Sequence, residues 1–260
     1  MVIVHSAGFR PRIYDESPWY WPISPLLARF DALGRFPRPE ELSALYRERS
    51  EPLGLPALTF VAATKSRKKR PRSEPIDPTE LYEGRVLERA EVPTRLDDWH
   101  DLFNALSFIV FPRAKRALHA RQYRIMKARI GPGDRRLPNA RTREQDALSL
   151  FDEGGICIAA PRALTSAMHE IDDHALRQQL ARASVRVIPF GHALYEHLVA
   201  GLPCPYGAAH VVTLSDAQLA AQGNLALLDA VDLALSTALA DPHAFLLPST
   251  ARGNALTALG

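Results

Sequence analysis

The sequence predicts an α+β protein: a helix-rich single domain around a small mixed sheet, with an extended Pro-rich N-terminal wrap. Three observations carry this. Long segments with helical apolar spacing outnumber the short apolar runs that read as strands. Eight of the 21 prolines fall in the first 56 residues, together with Trp19, Tyr20 and Trp21, a composition suited to extended pieces and short helices lying on a core built elsewhere. No internal repeat is present, which argues against a solenoid. The expected division is a wrap over 1–56, a main α+β domain over 57–240 and a loose C-terminal tail over 241–260.

Taken in order, Pro39-Glu40-Glu41 opens a helix to about Arg49, with proline and acidic residues where a first turn favours them. Ala57 to Ala63 reads as a buried strand and Leu81 to Ala90 as a second one. Leu96 to Phe111 has helical spacing, with Asp97 or Asp98 at its start and Pro112 after its end. At about 100° per residue, Trp99, Phe103, Leu106 and Val110 share one face, with apolar residues on most of the rest. One polar stripe crosses the middle, made of His100, Asn104 and Ser107. It needs hydrogen-bond partners, because a buried unpaired polar group costs on the order of 1–3 kcal/mol.

A second helix runs from Arg113 to about Ile130 and stops at Gly131-Pro132-Gly133. On it Arg113, Arg116, Arg124 and Lys127 fall within an arc of about 80°. That ridge reads as a solvated face or as an anion-binding surface. From Thr142 a short helix leads to Gly154-Gly155 and the strand Ile156 to Ala160. A helix over Ala163 to Ala183, an apolar run Val185 to Phe190, a helix His192 to Ala200, a strand His210 to Leu214 and a helix Asn224 to Ala240 complete the pattern.

Composition excludes several classes. With 47% hydrophobic and 23% charged residues the chain is neither disordered nor collagenous, and Cys157 and Cys204 are too few for a disulfide framework. No apolar stretch reaches the roughly 18 residues of a membrane span, and the start lacks the basic flank and apolar run of a secretory signal, so a soluble cytoplasmic protein is expected. Net charge is +3, but six basic residues lie within 65–72. Removing those six from the 32 basic residues leaves 26 against 29 acidic, a balance of −3. The basic character therefore belongs to one segment, which reads as a solvated loop or as a nucleic-acid contact.

The chemistry-bearing residues are few. His192 and Glu196 are four apart on one helix, the spacing that lets two side chains share a metal or a proton. His100 and Asn104 repeat it on the central helix. Asp152 and Glu153 stand at the Gly-Gly turn. Together these give a candidate divalent-metal set (zinc, manganese or iron) of His100, His192 and Glu196, with Asp152, Glu153 and Asn104 as candidate catalytic groups and Arg113, Arg116, Arg124 and Lys127 as candidate anion contacts. The reading that follows is a metal-assisted or acid/base hydrolase acting on a small anionic substrate. Its alternative is a non-catalytic nucleic-acid or acidic-partner binding protein in which the histidines brace a buried network. No nucleophile elbow, phosphate-binding loop or zinc-protease motif is present.

The stretch Val92-Pro-Thr-Arg-Leu-Asp-Asp-Trp-His-Asp-Leu-Phe-Asn-Ala-Leu106 followed by Phe111-Pro-Arg-Ala-Lys115 resembles an uncharacterised bacterial family, domain of unknown function 3025. Asp146 to Gly154 and Phe190 to Glu196 are similar to its other signatures, and the three cover roughly residues 79 to 215. The resemblance implies no activity, cofactor or fold. It does single out His100, Asn104, Asp152, Glu153, His192 and Glu196. It also implies departures at Gln145, where the family pattern has Arg, and at Gln122, where it has His, with His119 a turn earlier.

Overall fold

The computed structural model describes residues 8–63, 74–167, 178, 185–202, 207–220 and 223–245. Short helical turns and α1 (Ser24–Ala28) lead into α2 (Pro39–Ser50), which has proline at its first position and Glu41 folded back onto the Arg38 backbone. Strand β1 (Thr59–Ala62) pairs in parallel with β2 (Glu91–Thr94), Phe60 opposite Val92. Between them lies α3 (Tyr82–Glu88), a helix where a second strand over Leu81 to Ala90 is expected. Its glycine explains the change: a Cβ on Gly84 would lie 2.0 Å from the Pro78 carbonyl oxygen, so this turn seats directly on the preceding backbone. The strand begins only at Glu91, after Ala90 takes a left-handed φ of 54°.

Helix α4 (Trp99–Val110) is capped by Asp98, which accepts from the Asp101 N–H at 3.1 Å, and ten of its twelve residues are buried. It packs on α2 and β2, on α5 (Pro112–Ala128), and on α8 (His192–Val199). After α6 (Arg143–Gly154), opened by a Thr142 and Gln145 capping box, the chain enters the central strand β3 (Gly155–Pro161). Every residue of β3 before Pro161 is buried. That continuous burial fits a strand covered on both faces.

Helix α7 (Arg162–Ala167) follows; the rest of the helix expected over Ala163 to Ala183 lies outside the described residues, apart from Gln178. Strand β4 (Arg186–Pro189) runs antiparallel to β3 and β5 (Ala208–Leu214) parallel to it, giving the order β4-β3-β5. The short α9 (Asp216–Leu219) and the long α10 (Asn224–Ala240) close the described fold. Helix α10 is preceded by Gly223 at φ 104°, and Asn224, expected as its cap, is its first residue.

One core holds these elements together. Ile13, Tyr20, Ile23, Leu27, Phe30 and Phe36 of the N-terminal segment pack into the same buried cluster as Trp99, Phe103, Phe108 and Tyr195. Two charged residues fix α5 and α10 to each other. Asp232, fully buried, accepts from the Ala114 N–H at 2.8 Å and the Arg113 N–H at 3.2 Å, satisfying donors that an α-helix leaves unpaired at its start. Arg121 donates to the carbonyls of Leu239, Asp241, Pro242 and Ala244 where α10 ends, and to Glu144 of α6.

A polar cavity between the central helices

Glycine places the site. The N–H of Gly191 donates to the Gly155 carbonyl at 2.9 Å, and a Cβ on Gly191 would lie 2.4 Å from both the Glu153 carbonyl oxygen and the Gly155 nitrogen. Only a residue without a side chain lets the start of α8 approach the end of α6 this closely. The next residue, His192, is thereby set beside Asp152 and Glu153, and α8 lies along α4 with its polar residues facing those of α4.

The polar stripe of α4 finds its partners there. His100 Nδ1 is 3.1 Å from Glu196 Oε2, and His100 Nε2 is 3.2 Å from His192 Nε2, the two rings nearly perpendicular. Asn104 donates to the Tyr82 hydroxyl at 3.0 Å and accepts from Lys115 Nζ at 2.9 Å. Ser107 donates to the Phe190 carbonyl at 3.3 Å. Lys115, wholly buried, also donates to Asp152 Oδ1 at 2.5 Å and lies 4.6 Å from the centre of the Phe108 ring. Tyr82, His100, Asn104, His119, Asp152 and His192 line a cavity of about 210 Å³, with Glu83, Glu153 and Arg141 also contributing.

Glu196 and His192 thus both grip His100, from opposite nitrogens. Of the expected metal set, the Nε2 atoms of His100 and His192 face each other, while Glu196 lies against the far nitrogen of His100. Among the described residues no group of three or more His, Cys, Asp or Glu side chains is arranged to hold a metal ion. The arrangement is a hydrogen-bonded series from Glu196 through His100 to His192. A carboxylate only accepts, so the hydrogen bond to Glu196 puts a proton on His100 Nδ1. Neutral His100 then offers Nε2 as an acceptor to His192. Protonated His100 donates from Nε2 to His192. Between the two states His100 gains a proton and His192 Nε2 changes from donor to acceptor, so the proton of His192 moves to its Nδ1.

Electrostatics separate the two rings. Burial disfavours charge on His100, but Glu196, helped by Asp101, outweighs it and raises the ring above its ordinary value of 6.5. His192 is pushed down to about 3 by burial, with Lys115 and His100 adding to the effect and Asp152 opposing it. His119, stacked on Phe108 and edge-on to Tyr82, is pushed down to about 4 by burial. For Asp152 burial works upward, but Lys115, His119 and His192 outweigh it and hold the carboxyl well below the usual carboxylate range. Burial pushes Lys115 down.

The expected catalytic trio of Asn104, Asp152 and Glu153 all border the cavity. Asn104 and Asp152 are spent on Lys115, however, while Glu153 is exposed at the rim. The expected anion ridge is elsewhere and is not one surface. Arg113 reaches Asp232 at 3.4 Å and Arg116 is half-buried, whereas Arg124 and Lys127 face solvent, Lys127 lying over Tyr123. None of the four lines the cavity. The face of α5 that matters is Lys115, His119 and Gln122, spaced i, i+4, i+7 like the stripe on α4. That repeated spacing is the feature of the sequence from which these residues are recoverable. Gln122 reaches Ser149 Oγ at 3.4 Å, and Gln145 accepts from the Thr142 N–H and from Arg129. The basic segment 65–72 and Cys204 lie outside the described residues.

No described helix is long and apolar enough to cross a membrane. Neither the curated proteins nor the solved structures include a match to this chain. The family model described as a protein of unknown function (DUF3025) matches residues 71–250, more than half of the chain and every residue that lines the cavity, and the chain belongs to that family.

Proposed function

We propose that the cavity is an acid/base active site of hydrolytic type, acting in the cytoplasm on a small anionic substrate. One observation carries the reading: the hydrogen-bonded series Glu196, His100, His192 ends in a polar cavity, with His100 raised and His192 lowered. A pair of titrating groups whose surroundings push them apart is the usual way one site supplies both a base and a neutral partner. His100 turns its Nε2 from His192 to the attacking water and takes a proton from it while Glu196 holds Nδ1–H, then returns that proton to the leaving group. Asp152, Lys115, Asn104 and Tyr82 are positioning residues that fix the wall against which the substrate lies. A metal-assisted version has less support, since among the described residues no third carboxylate, histidine or cysteine joins the two facing Nε2 atoms of His100 and His192.

The alternative, a nucleic-acid or acidic-partner surface on α5, is less favoured because Arg113 is paired with Asp232 of α10 and Arg116 is half-buried. The test is hydrolysis of p-nitrophenyl esters, anilides and phosphates by the purified protein. One class is expected to turn over, with His100→Ala and His192→Ala each lowering kcat/KM by about 10²–10⁴ while circular dichroism is unchanged. Activity retained by both variants, or none on any class, overturns the reading.

A further inference from the structure

The polar cavity has a neighbour on the far side of Tyr82. Tyr82, Glu83 and Arg141 also line a second cavity of about 450 Å³, so the two chambers share a wall and a junction. The second chamber differs in character. Leu81, Met126, Leu137 and Pro138 supply apolar surface, and Leu137, on the loop between α5 and α6, is 47% exposed there. A single exposed leucine is ordinary; here it adjoins Leu81, Met126 and Pro138 on the wall of one concave chamber, the setting in which apolar surface takes a ligand. Arg141 stands at the junction and forms no ion pair among the described residues, while Arg129 is already engaged by Gln145.

We propose that the two chambers form one site for an elongated amphiphilic anion, its apolar body in the outer chamber against Leu137 and Met126 and its anionic group at Arg141. The inference rests on the cavity being a substrate site and gives that substrate a class. The combined space falls in the range of about 300–1,000 Å³ usual for small-molecule sites, lined as such sites are by apolar surface and a few placed polar groups. Glu83 opposes the anion at the same junction. Burial, with Asp152, raises its carboxyl above the ordinary value, against a backbone hydrogen bond and Arg141, which lower it.

The test uses sodium octanoate and its uncharged counterpart octanamide, titrated calorimetrically into the full-length protein near neutral pH. Octanoate is expected to bind more tightly than octanamide. Arg141→Ala weakens octanoate about tenfold and removes the difference between the two ligands. Glu83→Gln tightens octanoate a few-fold, and Leu137→Asp, an exposed-loop change that leaves the fold intact, abolishes binding of both. No octanoate binding, or binding untouched by Arg141→Ala and Leu137→Asp, overturns the inference. His192→Ala keeps octanoate binding while abolishing turnover, so a failure of catalysis and a failure of this site are read separately.

Discussion

Removing either member of the Lys115 and Asp152 pair exposes how the site is held up. Lys115→Met deletes a wholly buried cation and leaves Asp152, only 15% exposed at its side chain, facing a wall that no longer neutralises it. Breaking a buried pair in this way costs about 3–5 kcal/mol, and water in the adjoining cavity places this case near the lower end, about 3. Asp152→Leu leaves the lysine without its carboxylate; burial already pulls it toward its neutral form, which limits the loss to about 3–4 kcal/mol. Replacing both, Lys115→Met with Asp152→Leu, removes the desolvated charges together. It costs only about 1–2 kcal/mol, chiefly the hydrogen bond that Asn104 loses. The double-mutant cycle therefore has a coupling energy of roughly 5 kcal/mol. Urea unfolding at neutral pH, followed by far-ultraviolet circular dichroism, measures all four corners, and a domain with about 5–15 kcal/mol in hand keeps the single variants folded. Single losses below about 1 kcal/mol, or losses that simply add in the double variant, would refute the reasoning.

Gly191→Ala forces a Cβ to within 2.4 Å of two backbone atoms, so it should cost several kcal/mol and shift α8; a variant with unchanged urea midpoint contradicts the close contact. Asp232→Ala orphans the first N–H groups of α5 and should cost about 2–3 kcal/mol, read by the same unfolding assay. Stability should fall with acid below pH 6.5. The unfolded chain then takes up protons that His119 and His192, held down to about 4 and about 3, refuse in the folded state. The loss by pH 5 is about 2 kcal/mol per residue, and His119→Phe removes one share of it; a profile flat from pH 7 to 5 contradicts the burial argument. His100 runs the other way. Its raised value adds stability below 6.5 that is lost as pH rises through the folded value.

Much of the architecture was legible because it rests on local periodicity. Helices α4, α5, α8 and α10 follow from apolar spacing, and β3 and β5 from short apolar runs between turn residues. Residues 82–88 were misread because seven residues are too few for period to decide, and the contact of Gly84 with Pro78 settles the matter. The polar stripe on α4 announced a need for partners, but their identity depends on β4 folding back on β3 and on Gly191 meeting Gly155, neither of which spacing encodes. For the same reason His192 and Glu196 were expected to share a ligand. On eight residues of helix they face one side, yet they reach different nitrogens of the same ring. Lys115 was passed over because a lysine on a basic helix reads as solvated. Only the packing of α6 against α5 brings Asp152 to it and buries both.

The central claim is that Glu196 loads a proton onto His100 while His192 stays neutral. Histidine ring signals in a pH titration followed by nuclear magnetic resonance test it most directly. The account predicts that His100 titrates above 6.5, that His192 remains neutral down to about 3, and that Glu196→Gln moves His100 to lower pH without moving His119. A His100 that titrates at or below 6.5 in the native protein, or that ignores Glu196→Gln, would contradict it.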